Sequence, residues 1–346
     1  MTASPMPLSA ESGSLQKSAE GGSLQKSAES GSLEKPGKGD GLPILITMGE
    51  PSGIGPEVAR AAFDHFGGRI GDHPLTLVGD AAVFATHKNA LVPTHSPVTA
   101  VPGKPDVRNA AAVTEAIEKA VGLCLEGKAA ALVTAPIHKA VLHAAGFSFP
   151  GHTEFLAHLT GARRPVMMLA SGRLRVVPLT IHMPVADVPK AISKQAVFDT
   201  GEIILTALRR DFGILNPRLA VAGLNPHAGE DGMLGGEEDL VIAPAIAALK
   251  ARGFHVRGPL SADTLFHDEA RKGYDAALCM YHDQALIPIK TLSFWDGVNV
   301  TLGLPIVRTS PDHGTALDIA GQGKADPRSM IAAIQMAADM ADARSR

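Results

Sequence analysis

From Leu42 onward, short apolar runs alternate with longer stretches whose apolar residues recur at helical spacing. LPILITMG (Leu42–Gly49) is a β-branched run that stops at the turn GEPSGIGPE. GPEVARAAFDHF then predicts a helix, with Pro56 suited to its first turn. LTLVGD (Leu75–Asp80) predicts a strand, AVTEAIEKAVGLCLEG (Ala112–Gly127) an amphipathic helix, and AALVTAPI (Ala130–Ile137) a strand whose tip carries Thr134, His138 and Lys139. RPVMMLAS and LRVVPLTIHMP read as adjacent strands forming a hairpin about Ser171–Gly172. Beyond them come the helix KQAVFDTGEIILTALRRDFG, the strand PRLAVAGLNPHAG with its polar tip and the helix EEDLVIAPAIAALKARG. The strand AALCMYHDQ and the closing helix PRSMIAAIQMAADMADA complete the series. This alternation specifies an α/β fold with a largely parallel sheet, in which ligands collect at the C-terminal strand ends.

Residues 1–40 are built differently. GSLQKSAE occurs at Gly13 and again at Gly22, and GSLEK follows at Gly31. A polar repeat with one Leu per copy cannot bury enough apolar surface to offset its ordering entropy, so the reading is a disordered tail.

The whole chain has 346 residues, 45% of them hydrophobic, and a formal net charge of -3. That charge leaves no electrostatic footprint for nucleic acid. No apolar run reaches the ~18 residues a membrane span needs, and no secretory signal layout is present at the N-terminus. Cys124 and Cys279 match no metal or redox spacing and read as reduced thiols of a cytoplasmic protein.

Three predicted strand tips end in histidine: His182 in LTIHMP, His227 in LNPHAGE and His282 in MYHDQ. Any one of the chain's 14 histidines is ordinarily a surface or packing residue. Three of them framed by turn-forming residues suit a divalent cation such as zinc, cobalt or manganese, with positions left open for substrate. The turn GEPSGIGPE fails the G-x-G-x-x-G order of a dinucleotide fingerprint. It reads either as a structural turn or as a loop leading to a helix N-terminus that faces an anion.

The C-terminal run DHGTALDIAGQGKADP resembles the adenosine-binding loop of isocitrate and isopropylmalate dehydrogenases. With it, TMGEPSGIGPE, TAPIHK, GHTEFLA, IHMPVADVP, LNPHAGE, GPLSADTLF and YHDQALIPIK are similar, in order, to the motifs of the 4-hydroxythreonine-4-phosphate dehydrogenase family, the PdxA proteins of vitamin B6 synthesis. The one departure is Glu50-Pro51-Ser52, where members usually read Asp-Pro-Ala.

The resemblance implies a two-domain isocitrate/isopropylmalate dehydrogenase-like fold with the active site in the interdomain cleft. Residues 41–148 and 303–346 would form the NAD side, and residues 149–302 the metal and dimerisation side. It implies His182, His227 and His282 as ligands of one divalent metal per site (zinc, cobalt, magnesium or manganese). Substrate would be held by His152, Thr153, Lys290, Asn299 and Arg308. His313, Gly314, Asp318 and Gly321 would hold NAD or NADP, with Asp318 either accepting from a ribose hydroxyl or stabilising a turn. Lys290, Asp263 and Asp283 are the candidate catalytic groups, Lys290 as a base if burial depresses its pKa.

The implied assembly is a homodimer with a shared active site, in which GHTEFLA lies across the interface from the histidine tips. The implied reaction is oxidation of a small phosphorylated hydroxy amino acid, 4-phosphooxy-L-threonine, to 2-amino-3-oxo-4-phosphooxybutanoate, which loses CO₂ to give 3-amino-2-oxopropyl phosphate. Paralogues that oxidise 4-phospho-D-threonate, 4-phospho-D-erythronate or a cyclic dihydrodiol carboxylate would use the same elements.

Overall fold

A computed structural model describes residues 41–346, so the repeat tail of residues 1–40 lies outside the described residues. The strands are β1 (Ile44–Thr47), β2 (Arg69–Ile70), β3 (His73–Gly79), β4 (Leu91–Pro93), β5 (Ala131–Thr134) and β6 (Val166–Ala170). They continue with β7 (Arg175–Pro178), β8 (Arg218–Ala222), β9 (His255–Leu260), β10 (Ala276–Cys279), β11 (Val298–Leu302) and β12 (Val307–Pro311). All twelve join one sheet in the order β2-β3-β1-β5-β12-β11-β6-β7-β10-β8-β9, with β4 beside β3.

Most pairings are parallel, as the alternation of strand and helix predicts, and the short strand β1 is wholly buried, as a central parallel strand covered on both faces must be. β6 and β7 form the predicted antiparallel hairpin. The strands drawn from residues 41–148 and 303–346 occupy one half of the sheet, and those from 149–302 the other. The halves meet where β11 runs antiparallel to β12, with Asn299 opposite Ser310.

Helices pack on the sheet where their apolar faces predict. Gly55–His65 opens with Pro56 in its first turn. Lys194–Arg210 begins at Ser193, whose side chain accepts from the Ala196 amide at 3.1 Å. The last helix, Arg328–Ser345, lies along β12, where the Thr309 hydroxyl donates to the Ala333 carbonyl at 2.8 Å.

The structure corrects two element readings. AALCMYHDQ is not a strand throughout: β10 stops at Cys279, and His282 is the first residue of a helix, His282–Leu292, that also carries Lys290. Pro288 lies inside this helix and removes one of its backbone donors, yet Ala285 and Ile289 are buried and the helix packs on the sheet at β7 and β10. Tertiary packing overrides the local preference there. The helix predicted from Glu237 opens instead with a π-helical turn, Glu238–Ile242. Both cysteines are free, and burial pushes the half-buried Cys124 thiol up to about 12. Among the described residues no helix is long and apolar enough to cross a membrane.

Candidate active site

A cleft of about 510 Å³ opens where the two halves of the sheet meet, within the size range of small-molecule sites. Thr134 reaches it from the end of β5, Met167 and Leu169 from β6, Asn299 from β11 and Arg308 from β12. His152 and Thr153 enter from the first turn of the helix His152–Thr160, and His313 and Gly314 from the loop after β12. His182 and His282 complete the wall.

Arg308 dominates the electrostatics. Its side chain is 3% exposed, and it has no carboxylate partner among the described residues. The Thr134 hydroxyl accepts from Nε at 3.2 Å and from Nη2 at 2.6 Å, and Thr301 Oγ1 and Asn299 Oδ1 accept from Nη1 at 2.9 and 3.5 Å. Burial without a counter-charge pushes its pKa down to about 9, so the guanidinium stays charged at neutral pH. A buried, unpaired cation is costly until an anion joins it. Lys139 adds a second positive group to the same wall.

Burial, followed by the fields of Arg308 and Lys139, holds His152 well below the usual imidazole range, so it is neutral. Its Nε2 is buried without a partner among the described residues, as is Nε2 of His313, whose Nδ1 lies 2.9 Å from the Gly314 carbonyl oxygen. Two orphaned imidazole nitrogens on one cleft wall are groups a bound molecule would satisfy.

The three candidate metal ligands follow β7, β10 and β8, which are neighbouring parallel strands, so their loops emerge side by side. The His182 and His282 rings stand 6.2 Å apart. His282 Nδ1 is 2.6 Å from Asp283 Oδ1; with Nδ1 donating, Nε2 is left for a metal. His227 does not line the cleft and lies near Asp263, whose carboxyl is held below its usual range by the Ser261 hydroxyl and, more weakly, by His227. Among the described residues no three His, Cys, Asp or Glu side chains of one chain converge as a metal set. The donors present, imidazoles backed by a carboxylate, fit a divalent metal completed by a further ligand.

Lys290 lies behind the cleft wall. Its ammonium is ion-paired with the Asp312 carboxylate and donates to the Asp312 carbonyl at 3.1 Å, and Asp312 itself lines the cleft. His152, Thr153, His182 and His282 line one cleft of a single chain.

Gly321 lines a separate cleft of about 300 Å³, with Gly53, Glu57 and Pro102, and Asp318 is exposed and lines neither. A Cβ at Gly321 would stand 2.7 Å from the Pro102 side chain, so this position needs glycine for packing as well as for its φ of +74°. The GEPSGIGPE turn is a buried structural element. Ile54 donates to the Thr315 carbonyl at 2.9 Å, which seats the turn against the C-terminal loop. Sequence reasoning passed over Thr134, Thr301, Lys139 and Asp312 as site residues. Lys139 stood in the TAPIHK motif and Asp312 beside His313, and only the strand order exposes their role.

Residues 62–337 match the sequence family described as the pyridoxal phosphate biosynthetic protein PdxA. A protein of Roseobacter denitrificans named 4-hydroxythreonine-4-phosphate dehydrogenase is 56% identical over 319 residues, covering 86% of this chain and 97% of that protein. One of the same name from Caulobacter vibrioides is 50% identical over 331 residues, covering 87% and 98%. The crystal structure of 4-hydroxythreonine-4-phosphate dehydrogenase from Klebsiella pneumoniae superposes with a TM-score of 0.78 at 37% identity, over 87% of this chain and all of the other. A terephthalate 1,2-cis-dihydrodiol dehydrogenase from Burkholderia xenovorans follows the same fold, with a TM-score of 0.65 at 27% identity over 86% of this chain and 98% of its own.

Proposed function

The chain belongs to the PdxA family of pyridoxal phosphate biosynthetic proteins, and from that premise we propose that it oxidises 4-phosphooxy-L-threonine with NAD or NADP and a divalent metal. The observation that carries this reading is Arg308, a buried guanidinium on the cleft wall with no carboxylate partner among the described residues. A phosphorylated amino acid supplies two anionic groups, and a planar guanidinium suits either.

The chain's own groups divide the work. Thr134, Thr301 and Asn299 take up four of the five N–H groups of Arg308, which fixes its plane and leaves one Nη2 hydrogen for the ligand. Neutral His152 and Thr153, at a helix N-terminus beside Arg308, bind the same end of the substrate. His182, His227 and His282 would hold the metal, which when bound lowers the pKa of the secondary hydroxyl. The Asp312 carboxylate, which lines the cleft and is held by the Lys290 ammonium, would take the hydroxyl proton, and a bound nicotinamide would supply the hydride acceptor. Oxidation leaves a β-keto acid. Its C–CO₂ bond then breaks, the electron pair passes to the ketone, and a proton returns to the carbon to give 3-amino-2-oxopropyl phosphate and CO₂.

The cleft lies between the two halves of the sheet, which supports the division into a cofactor side (41–148 with 303–346) and a metal side (149–302). His182 and His282 stand 6.2 Å apart on the cleft wall while His227 lies near Asp263, an arrangement that a homodimer with a shared active site would complete with a histidine of the partner. The protein is read as cytoplasmic from its biosynthetic relatives. Kinetics with 4-phosphooxy-L-threonine beside 4-phospho-D-threonate test the substrate. A higher kcat/KM for the threonate would overturn the assignment in favour of the paralogous activity.

A further inference from the structure

Behind the three histidine loops run three buried polar side chains: Thr180, Gln284 and Glu238, at 6%, 9% and 2% exposure. None of them serves its own element alone. The Thr180 hydroxyl, in the loop of His182, donates to the Met280 carbonyl at 2.8 Å. The Met280 amide donates to Gln284 Oε1 at 2.7 Å, and Gln284 Nε2 donates to the Gly223 carbonyl at 2.8 Å, which crosses from the His282 loop to the His227 loop. There Glu238 Oε1 accepts from the Leu224 and Asn225 amides at 2.7 and 2.8 Å, and Oε2 from Asn225 Nδ2 at 3.0 Å.

The His227 loop is shaped around that carboxylate. His227 and Ala228 (φ +52° each), Glu230 (+44°) and Asp231 (+57°) all adopt left-handed backbone, which non-glycine residues hold only where their surroundings impose it. A Cβ at Gly229 would stand 2.8 Å from Glu238 Oε2, and one at Gly223 would stand 3.0 Å from Oε1. Glu238 itself begins the π-helical turn, a widened register common beside functional sites. Apolar packing would fill this space without fixing directions. A fully satisfied polar chain fixes them.

We propose that Gln284 and Glu238 are positioning residues, the links of a buried hydrogen-bond seam that sets the spacing of the His182, His282 and His227 loops and so the affinity of the metal centre. The inference rests on the reading of these histidines as metal ligands. It holds whichever chain supplies each histidine, because the seam fixes what one chain presents.

The test is titration of the purified full-length protein with Co²⁺, following its visible absorption band, with NAD⁺ binding and thermal unfolding measured in parallel. Gln284→Met removes both seam bonds at nearly constant volume, and Glu238→Gln, the milder change, keeps one acceptor oxygen and guards against a variant that fails to fold. Loss of groups that orient metal ligands weakens metal binding about 10- to 100-fold. The expected result is such a rise in Co²⁺ Kd with an altered absorption band and unchanged NAD⁺ affinity. A lower unfolding temperature with wild-type Co²⁺ Kd and spectrum would overturn the proposal and reduce the seam to packing. His227→Ala and His282→Ala separate this failure from that of the underlying reading. If they too bind Co²⁺ as wild type does, the metal assignment falls and the seam's role with it.

Discussion

Arg308 of β12 hangs its guanidinium on the hydroxyl of Thr134 at the end of β5, through contacts of 2.6 and 3.2 Å, across the junction from which the cleft opens. One hydroxyl thus aims the only buried, carboxylate-free arginine among the described residues at whatever anion enters. Arg308→Lys keeps the charge and loses the planar fork, and kcat/KM should fall roughly 100-fold, about 2.7 kcal/mol of transition-state stabilisation. Thr134→Val should cost about tenfold, because the cation remains but loses its anchor. Steady-state kinetics decide it, and an Arg308→Lys enzyme with wild-type kcat/KM would remove Arg308 from the anion site.

Glu50 is fully buried; the Ser52 amide donates to its Oε1 at 3.0 Å, and Oε2 has no partner among the described residues. Burial raises its carboxyl pKa above the ordinary 4.5. Between those two values the native state holds more proton than the unfolded chain, so this group makes stability fall as pH rises. Glu50→Gln keeps the acceptor for Ser52 and abolishes the buried charge. Its unfolding free energy relative to wild type should grow as pH climbs from about 4.5. Denaturant unfolding across that range gives the comparison, and parallel pH profiles for the two proteins would count against it.

His152 shows the opposite dependence. Its native pKa lies well below the ordinary 6.5, because burial and then Arg308 and Lys139 disfavour the imidazolium. Below about 6.5 the unfolded chain takes up a proton that the native state refuses, so stability declines as the pH drops. His152→Gln should remove one proton's worth of that slope. An unchanged acid limb in the variant would mean that native His152 titrates normally.

If the partner chain supplies His227 to the cleft that holds His152, two inactive variants should rescue one another. His152→Ala and His227→Ala chains mixed at random give half heterodimers. One site of each heterodimer then carries both lesions and the other neither, so about a quarter of wild-type sites return. His152→Ala mixed with Lys290→Ala should give no rescue, because Lys290 reaches the same cleft of its own chain through Asp312. NADH production after co-refolding reads both outcomes, and recovery in the second mixture alone would reverse the assignment of chains.

Much of the fold is legible in the sequence. The apolar runs became β1, β3, β5, β6, β7, β8 and β10, and the periodic stretches became helices, because burial of one face is written into local spacing. Motif order was enough to mark the family. His282 and Lys290 show where local spacing ran out: an apolar run bounded by polar residues suits a buried strand or a buried helix, and the helix is selected by burying Ala285 and Ile289 as it packs on β7 and β10. The site itself was beyond local reading. Thr134 and Arg308 lie 174 positions apart, and they meet because β5 and β12 pair in parallel. Which side chains share a wall follows from strand order, a choice made by long-range burial of whole strands, and no local pattern records it. Residue types and their spacing therefore determined the elements and the chemistry available, while the tertiary structure decided that Arg308 has no carboxylate partner among the described residues, that His152 is held below the usual imidazole range and that His227 stands apart from the cleft.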